Sequence, residues 1–257
     1  MANLVARSDG GELALWQLDL LECPRAGVAR LRAGAQAERQ AEAERLACAS
    51  SIAELAQGGW TDDWFERLPW LVSRGLLAQW PLARFAGADY SLAAARLTEL
   101  LRRRLLIWRP PQAHGWLALA AAHWRDRSRG LTVSGRLDLL VGKDVSAAGP
   151  GLVLDFRLST EDLQAAQPPL SVVALAILAQ ARLGLRSTVE VRRVCLISGD
   201  ERSWWFDRAA AAVEWCRLRR VVGELAPGPP LARPGAQYRT CGRLVCEGWQ
   251  ERALVPA

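Results

Sequence analysis

The feature that most constrains this chain is a pair of strand-like segments that each carry one aspartate. The first is LTVSGRLDLLV (131–141), which contains Asp138, and the second is LVLDFRLS (152–159), which contains Asp155. The stretch between them, GKDVSAAGPG, is rich in turn-forming residues. The pattern predicts a β-hairpin with a long loop, which brings two acidic residues onto neighbouring strands.

The sequence before this hairpin is predominantly helical. Residues 25–56 are rich in Ala, Glu and Arg at loose helical spacing, and Gly58-Gly59 ends the pattern. Residues 60–106 carry several short helical patterns, which we expect to be separated by Pro69, Pro81 and Gly87. We therefore expect residues 1–125 to form a helical lobe within the same compact unit as the rest of the chain.

After the hairpin, helices and strands alternate. A helix is expected from Pro168-Pro169 to about residue 185, a strand over 187–198, and another strand in RSWWF. Asp207 is expected to cap a helix that extends to about residue 225. Three apolar residues of that helix are spaced for one buried face: Val213, Leu218 and Val221.

This order of elements predicts an α/β fold with a mixed sheet. We expect the α/β core to span 126–226, and a Pro-rich linker with a Cys-bearing tail to occupy 227–257. A chain of 257 residues is long enough for one sizeable core with an appended helical lobe.

Composition limits the classes of partner. The net charge of +6 favours a polyanionic partner. Lys143 is the only lysine, so arginine supplies nearly all of the positive charge, as a GC-rich genome would also produce. The most apolar run, 170–183, is interrupted by polar residues, and the N-terminal sequence lacks the order of a secretory signal. We therefore expect a cytoplasmic protein that does not associate with a membrane.

Two carboxylates on neighbouring strands are typical of a site for a hard divalent cation. Mg²⁺ or Mn²⁺ held by Asp138 and Asp155, together with water and phosphate oxygens, is the usual arrangement for phosphodiester cleavage. Such a site also needs a cation near the attacking water, and lysine supplies it as a compact point charge.

The segments GRLD (135–138) and LDFR (154–157) resemble the paired motifs of the PD-(D/E)xK nuclease superfamily, in its RecB/AddB/Cas4-like branch. The resemblance implies a restriction-endonuclease-like mixed sheet flanked by helices, with Asp138 and Asp155 as catalytic metal ligands. It places Arg157 at the position of the catalytic lysine. Because arginine stays protonated and is wide and planar, we expect cleavage to be impaired.

Two neighbouring motifs of that branch also differ in this chain. The branch has a G-x-x-x-H helix upstream of the hairpin, and Gly75-Leu-Leu-Ala-Gln79 stands in its place, with Gln79 at the histidine position. The branch also has a Gln-x-x-x-Tyr helix after the second strand, where this chain has Pro169 and Val173. The resemblance thus implies a degenerate nuclease site.

Cysteines near both ends of the chain extend the resemblance. LLECPRAGV supplies Cys23, and TCGRLVCEGW supplies Cys241 and Cys246, similar to the cysteines that hold a 4Fe-4S cluster in this branch. Tyr238 stands at the fourth position, and a cluster normally needs four thiolates. We therefore favour a remnant in which packing has replaced the cluster, while a zinc site with three thiolates stays open. The other cysteines are expected to be buried core thiols: Cys48, Cys195 and Cys216.

Aromatic and basic residues supply candidates for nucleic-acid contacts. Most of the twelve tryptophans lie in apolar contexts typical of packing. Trp204 and Trp205 are adjacent on a predicted strand, so one of them should face outward and could stack on a base. Arg136 is the third candidate. His114 and His123 match no motif and are expected to be surface or packing residues.

These observations leave three functions open. The favoured one is a DNA-binding subunit or accessory factor that cleaves poorly or not at all and works with a protein partner in DNA processing, repair or defence. The second is an active Mg²⁺- or Mn²⁺-dependent, exonuclease-like nuclease that uses Asp138 and Asp155, with Arg157 or a basic residue from elsewhere in the chain in place of the lysine. The third is a protein-interaction scaffold without DNA or metal contacts.

Overall fold

The structure is a computed structural model that describes residues 12–14, 18, 24–58, 60–83, 87–110, 116–126, 131–141, 150–159, 163, 165, 167–184 and 188–223. The strands in this part are β1 (Glu12–Ala14), β2 (Trp116–Asp126), β3 (Leu131–Val141), β4 (Gly151–Arg157), β5 (Val189–Cys195) and β6 (Glu201–Phe206). The helices are α1 (Pro24–Gln57), α2 (Trp64–Ala83), α3 (Gly87–Ile107), α4 (Leu170–Leu183) and α5 (Arg208–Gly223). None of these helices is long and apolar enough to cross a membrane.

The described strands form one mixed sheet, so the expected α/β class is confirmed. Strand β2 pairs antiparallel with β3 along its full length, from Trp116↔Val141 to Asp126↔Leu131. The other edge of β3 pairs parallel with β1 at 132–134 and antiparallel with β4 at 139–141. Strand β5 pairs parallel with β4, and β6 pairs antiparallel with β5. Among the described strands, β2 and β6 therefore lie at opposite edges.

Helices α1, α2 and α3 pack into one apolar cluster with the centre of the sheet. The close approach of α1 and α2 depends on Gly75, where an added Cβ would lie 2.8 Å from Ser50 Oγ and 3.0 Å from the Cα of Ala47. Four side chains of the sheet join this cluster: Leu139, Leu154, Phe156 and Val194. The helical lobe thus rests directly on β3, β4 and β5.

Helix α4 forms the centre of a second apolar cluster. Residues 170–180 are all buried, as expected of a helix that is apolar on every side. Val153 of β4 and Val191 of β5 pack in this cluster, whereas Leu154 and Phe156 belong to the cluster of the lobe. Because successive side chains of a strand point to opposite faces, β4 is covered on both sides.

Several sequence predictions are confirmed in this region. The two strands of the acidic hairpin are β3 and β4, the helix after Pro168-Pro169 is α4, and the two later strands are β5 and β6. Asp207 caps α5, since the backbone N–H of Ala210 donates to Asp207 Oδ1 at 2.7 Å.

Other predictions about the elements are wrong. Residues 116–126 form strand β2 rather than part of a helical lobe, because pairing with β3 over the whole strand overrides the helical preference of its alanines. Pro69 and Pro81 lie inside α2 and do not divide it. Pro69 has no N–H to donate to the carbonyl of Phe65. That carbonyl accepts a hydrogen bond from Arg102 Nη2 instead, at 3.5 Å.

Helix α5 packs Leu218 and Val221 in the core as expected, but not Val213. Ala211 and Leu218 are buried and lie seven residues apart, so they share one side of the helix. Val213 lies about 200° around the helix from Ala211 and is exposed. Cys216 is also exposed, which contradicts its expected place in the core, whereas Cys48 and Cys195 are buried.

Candidate functional site

Strands β3 and β4 place Asp138 and Asp155 at adjoining positions. The β3–β4 ladder ends at Leu139↔Leu154, and each aspartate occupies the next position on its strand. Beyond the ladder, the backbone N–H of Phe156 donates to Asp138 Oδ2 at 3.0 Å. Both aspartates are buried, with 2% and 3% of their surface exposed. Two carboxylates in the core need compensating partners.

The partner of Asp138 comes from helix α1. Arg45 Nη1 donates to Asp138 Oδ2 at 2.5 Å. The Nε and Nη2 groups of Arg45 donate to the two carboxylate oxygens of Glu42, each at 2.8 Å, which is the bidentate geometry that arginine favours. Arg45 therefore joins two carboxylates and ties α1 to the end of the β3–β4 ladder.

The partners of Asp155 come from β4 and β5. Arg193 Nε donates to Asp155 Oδ2 at 2.7 Å, and Arg157 Nε donates to the same oxygen at 3.1 Å. Arg193 Nη2 also donates to Ser171 Oγ, at 2.9 Å, at the start of α4. The guanidinium of Arg193 is wholly buried, so Asp155 and Ser171 hold it between the sheet and α4.

These six charged residues form one unit, here called the acid–arginine cluster: Glu42, Arg45, Asp138, Asp155, Arg157 and Arg193. Its three carboxylates and three guanidinium groups cancel in formal charge when all are ionised. A neutral arrangement lowers the cost of keeping ions in the core, provided that each ion also has hydrogen bonds.

The cluster shifts the pKa values of its two aspartates in opposite directions. Burial raises the pKa of Asp138, and the nearby Arg45 does not offset it fully. Burial also tends to raise the pKa of Asp155. The positive charges of Arg157, Arg193 and Arg45 outweigh that effect and lower this pKa to about 2. Burial would lower the pKa of Arg45, yet Asp138 and Glu42 raise it well above its ordinary value.

The donor atoms of the cluster do not fit a divalent cation. Mg²⁺ requires an octahedron of oxygen atoms at about 2.1 Å. Here the Oδ2 atoms of Asp138 and Asp155 already accept hydrogen bonds from arginine. Asp138 Oδ1 is buried without a hydrogen-bond partner. Across the described ranges, no three His, Cys, Asp or Glu side chains are grouped so that they could hold a metal ion.

The remaining motif positions lie around the cluster in different ways. Arg157, at the lysine position, is held by Asp155 and keeps 19% of its side chain exposed. Gln79 is buried in α2, whereas the side chain that donates to Asp138, that of Arg45, comes from α1. Pro169 is the residue before the first turn of α4, and Val173 is buried within that helix.

Several predicted site residues lie outside the described part of the chain. These are the cysteine positions and the tyrosine among them, together with one histidine: Cys23, Cys241, Cys246, Tyr238 and His114. The iron–sulfur and zinc alternatives therefore stay predictions.

The three residues predicted to contact nucleic acid do not form one surface. Trp205 is 57% exposed on β6, whereas its neighbour Trp204 is buried beneath Arg202, so one of the pair faces outward as expected. Arg136 is exposed on β3. Three strand spacings of about 4.8 Å separate β3 from β6, which gives about 14 Å across the sheet.

Sequence reasoning missed Arg45, Glu42, Arg193 and Ser171. A signal for Arg193 was present, because VEVRRVC carries two adjacent arginines in an otherwise apolar strand, and alternation must turn one of them inward. Arg45 carried no comparable signal, since it is one of several arginines in a helix rich in Ala and Glu.

A comparison with protein-family models finds no match, and a comparison with curated proteins finds none either. The likeness to the RecB/Cas4-like branch therefore rests on the residues of this chain alone.

Proposed function

We propose that this chain is a nuclease-like protein that binds DNA but cleaves it poorly or not at all. In this proposal the core is of the restriction-endonuclease-like, RecB/Cas4-like type, and the protein acts as a subunit or accessory factor in DNA processing, repair or defence. One observation carries the proposal: the two aspartates at the metal-ligand positions are each paired with arginine.

The ion pairs oppose the entry of a metal ion for an energetic reason. To bind two free carboxylates, a cation would have to displace Arg45 and Arg193 from the oxygens that they hold. Separating a buried ion pair leaves an uncompensated charge, which typically costs about 3–5 kcal/mol. Arginine also cannot release a proton to become neutral, so this resistance is present at every physiological pH.

The same ion pairs keep the two aspartates in their positions. Asp138 and Asp155 stay in place because arginines stabilise them, so the chain keeps the acidic positions of a nuclease with one oxygen of each carboxylate held by arginine. The net charge of +6 supports a polyanionic partner for such a scaffold. Together these features favour DNA binding without hydrolysis.

Incubation of the purified protein with labelled single-stranded and duplex DNA tests this proposal. We expect binding that weakens as salt rises, and no cleavage when Mg²⁺ or Mn²⁺ is added. The Asp138→Asn variant is the matched control for contaminating nucleases, because any cleavage due to this site would disappear in it.

Two results would contradict the proposal. Metal-dependent cleavage by the wild-type protein that is lost in Asp138→Asn would show an active nuclease. No DNA binding at low salt would instead favour a protein-interaction scaffold.

A further inference from the structure

One exposed surface of the sheet is formed by the outer ladder of β2 and β3. Ala121, His123 and Arg125 of β2 are exposed and alternate with half-buried residues. On β3, Arg136 is exposed and Thr132 and Ser134 are half-buried, while Val133 and Leu137 between them are buried. The register pairs these positions directly, so we call this surface the outer-ladder face: Ala121 with Arg136, His123 with Ser134, and Arg125 with Thr132.

Among the residues that the structure describes, no carboxylate compensates the positive charge of the outer-ladder face. Arg125 and Arg136 make no ion pair or hydrogen bond with any other described residue. By contrast, exposed arginines of the lobe are paired with glutamate, as in Arg96 with Glu44 and Arg103 with Glu99. Within the described part of the chain, the arginines of this face are thus open to an outside anion.

The acid–arginine cluster does not cancel this charge. Asp138 lies two residues beyond Arg136 on β3, and an unpaired carboxylate there would attract the guanidinium or repel an anion. Arg45 holds Asp138 instead, and the cluster as a whole is neutral. The ion pairs that oppose cleavage therefore also leave the neighbouring surface positive.

We propose that the outer-ladder face binds the sugar-phosphate backbone of DNA. This inference rests on the proposed DNA binding and names the surface and the part of the nucleic acid that it contacts. Side chains on one face of a strand recur every ~6.7 Å, so Arg125, His123 and Arg136 form a row along the two strands. The hydroxyl groups of Thr132 and Ser134 lie beside this row and can donate to phosphate oxygens.

The chemistry of the face favours binding without sequence preference. Arginine and hydroxyl contacts to phosphates position a nucleic acid but do not read its bases. Ala121, which pairs with Arg136, is exposed and has a short side chain. His123 is the single aromatic ring among the six side chains of the face, which has no Trp, Tyr or Phe to stack on unpaired bases.

The exposed tryptophan of the sheet is a weaker site for the same ligand. Trp205 pairs across the ladder with Glu190, and Arg192 beside it is already bonded to that carboxylate. Glu201 lies on the same strand and is exposed. Phosphates are therefore repelled near Trp205 and attracted at the opposite edge of the sheet.

A pair of double variants tests the outer-ladder face. Arg125→Gln with Arg136→Gln is compared with Arg208→Gln with Arg220→Gln, which removes two exposed arginines of α5 that also lack a described acidic partner. Each double variant lowers the net charge from +6 to +4. Because all four positions are exposed, both variants should fold, which circular dichroism checks.

Fluorescence anisotropy with labelled DNA over a range of salt concentrations gives the readout. We expect the Arg125/Arg136 variant to bind roughly tenfold more weakly and to lower the salt slope by about two units, whatever the DNA sequence. The Arg208/Arg220 variant should bind as the wild type does.

The outcomes separate this inference from the proposed function. Equal weakening in both variants would show that overall charge, not this face, binds DNA. Wild-type affinity in the Arg125/Arg136 variant would place the DNA elsewhere and leave the proposed function standing. If the wild-type protein itself does not bind DNA, both proposals fall.

Discussion

At Arg193, a complete guanidinium group lies in the core with no exposed surface. Its Nε and Nη2 groups each have a partner, Asp155 Oδ2 and Ser171 Oγ. Replacing only Arg193 would leave the buried charge of Asp155 less well compensated and would lower stability. Replacing both members of a buried ion pair with apolar residues often leaves stability unchanged. Asp155 and Arg193 are therefore best tested together, with leucine and methionine as the replacements.

The lowered pKa of Asp155 predicts a loss of stability in acid. A carboxyl group in the unfolded chain has a pKa of about 3.9, and Asp155 in the folded chain has a pKa of about 2. The stabilisation is therefore complete above about pH 4 and is lost as the pH falls towards 2, by on the order of 2 kcal/mol. The raised pKa of Asp138 has the opposite effect on stability, because ionisation of this buried carboxyl group favours the unfolded chain.

Urea denaturation at pH 5 and pH 3 measures this loss. The free energy of unfolding of the wild-type protein should fall between these values by more than that of the Asp155→Leu, Arg193→Met double variant, which lacks the buried pair. An equal fall in both proteins would show that Asp155 is not the source.

The sequence predicted one half of the cluster. Asp138 and Asp155 could be found because strand alternation and a turn-rich connection place them on neighbouring strands of a hairpin. Arg45 could not, because its contact with Asp138 joins residues 93 positions apart in the chain. No local pattern in a helix distinguishes an arginine that faces a buried acid from one that faces solvent.

At the scale of elements, the turn between β5 and β6 is fixed by the end of α3. Arg104 Nε donates to the carbonyl of Leu196 at 2.9 Å, and its Nη2 donates to the carbonyl of Ile197 at 2.8 Å. Gly199 follows in the left-handed region, with φ of 85°. An added Cβ at Gly199 would lie 1.8 Å from Arg104 Nη1, so this turn and this arginine require glycine.

Gly199→Ala should therefore destabilise the protein in two ways. The left-handed backbone costs about 1–2 kcal/mol for a residue with a Cβ, and displacing Arg104 leaves the buried carbonyl of Leu196 without its donor, at about 1–3 kcal/mol more. Gly184→Ala is the control for the added methyl group, because Gly184 also has a positive φ, of 104°, with ψ of 133°, but its added Cβ would meet nothing within 4 Å.

Urea denaturation of the two alanine variants compares these costs. Gly199→Ala should lower the free energy of unfolding clearly more than Gly184→Ala does. Equal losses would show that the backbone conformation alone matters and that Arg104 moves aside without cost.

The elements that the sequence predicted well are those with a strong local pattern. Strands β3 to β5 and helix α4 have apolar runs bounded by turn residues, and their positions follow from these. Helix α1 has a long Ala-, Glu- and Arg-rich pattern that ends at Gly58, and β6 follows a glycine turn. Strand β2 has no such local pattern, because WLALAAAHWRD is rich in alanine and becomes a strand only through its ladder with β3. Helix α2 likewise depends on tertiary contacts, because its packing on α1 and α3 stabilises it despite its two prolines.

At the scale of the whole molecule, the acid–arginine cluster joins the helical lobe to the sheet and to α4. Arg45 supplies the link from α1 to β3, Arg193 the link from β5 to β4, and Ser171 the link to α4. In a metal-dependent site, a cation bound by the two carboxylates would supply part of this cohesion. Here guanidinium groups within the chain supply it.

The thermal stability of the wild-type protein should therefore not depend on divalent cations. A ligand that binds only the folded state raises the unfolding midpoint with its concentration, and chelation reverses the effect. We expect equal midpoints in EDTA, Mg²⁺ and Mn²⁺, measured by differential scanning fluorimetry. The Arg45→Met variant is the informative comparison, because it leaves Glu42 and Asp138 without their shared cation, and Mn²⁺ should then stabilise it. A wild-type midpoint that rises with Mn²⁺ would show that a metal competes successfully with Arg45 and that the site can hold a catalytic ion.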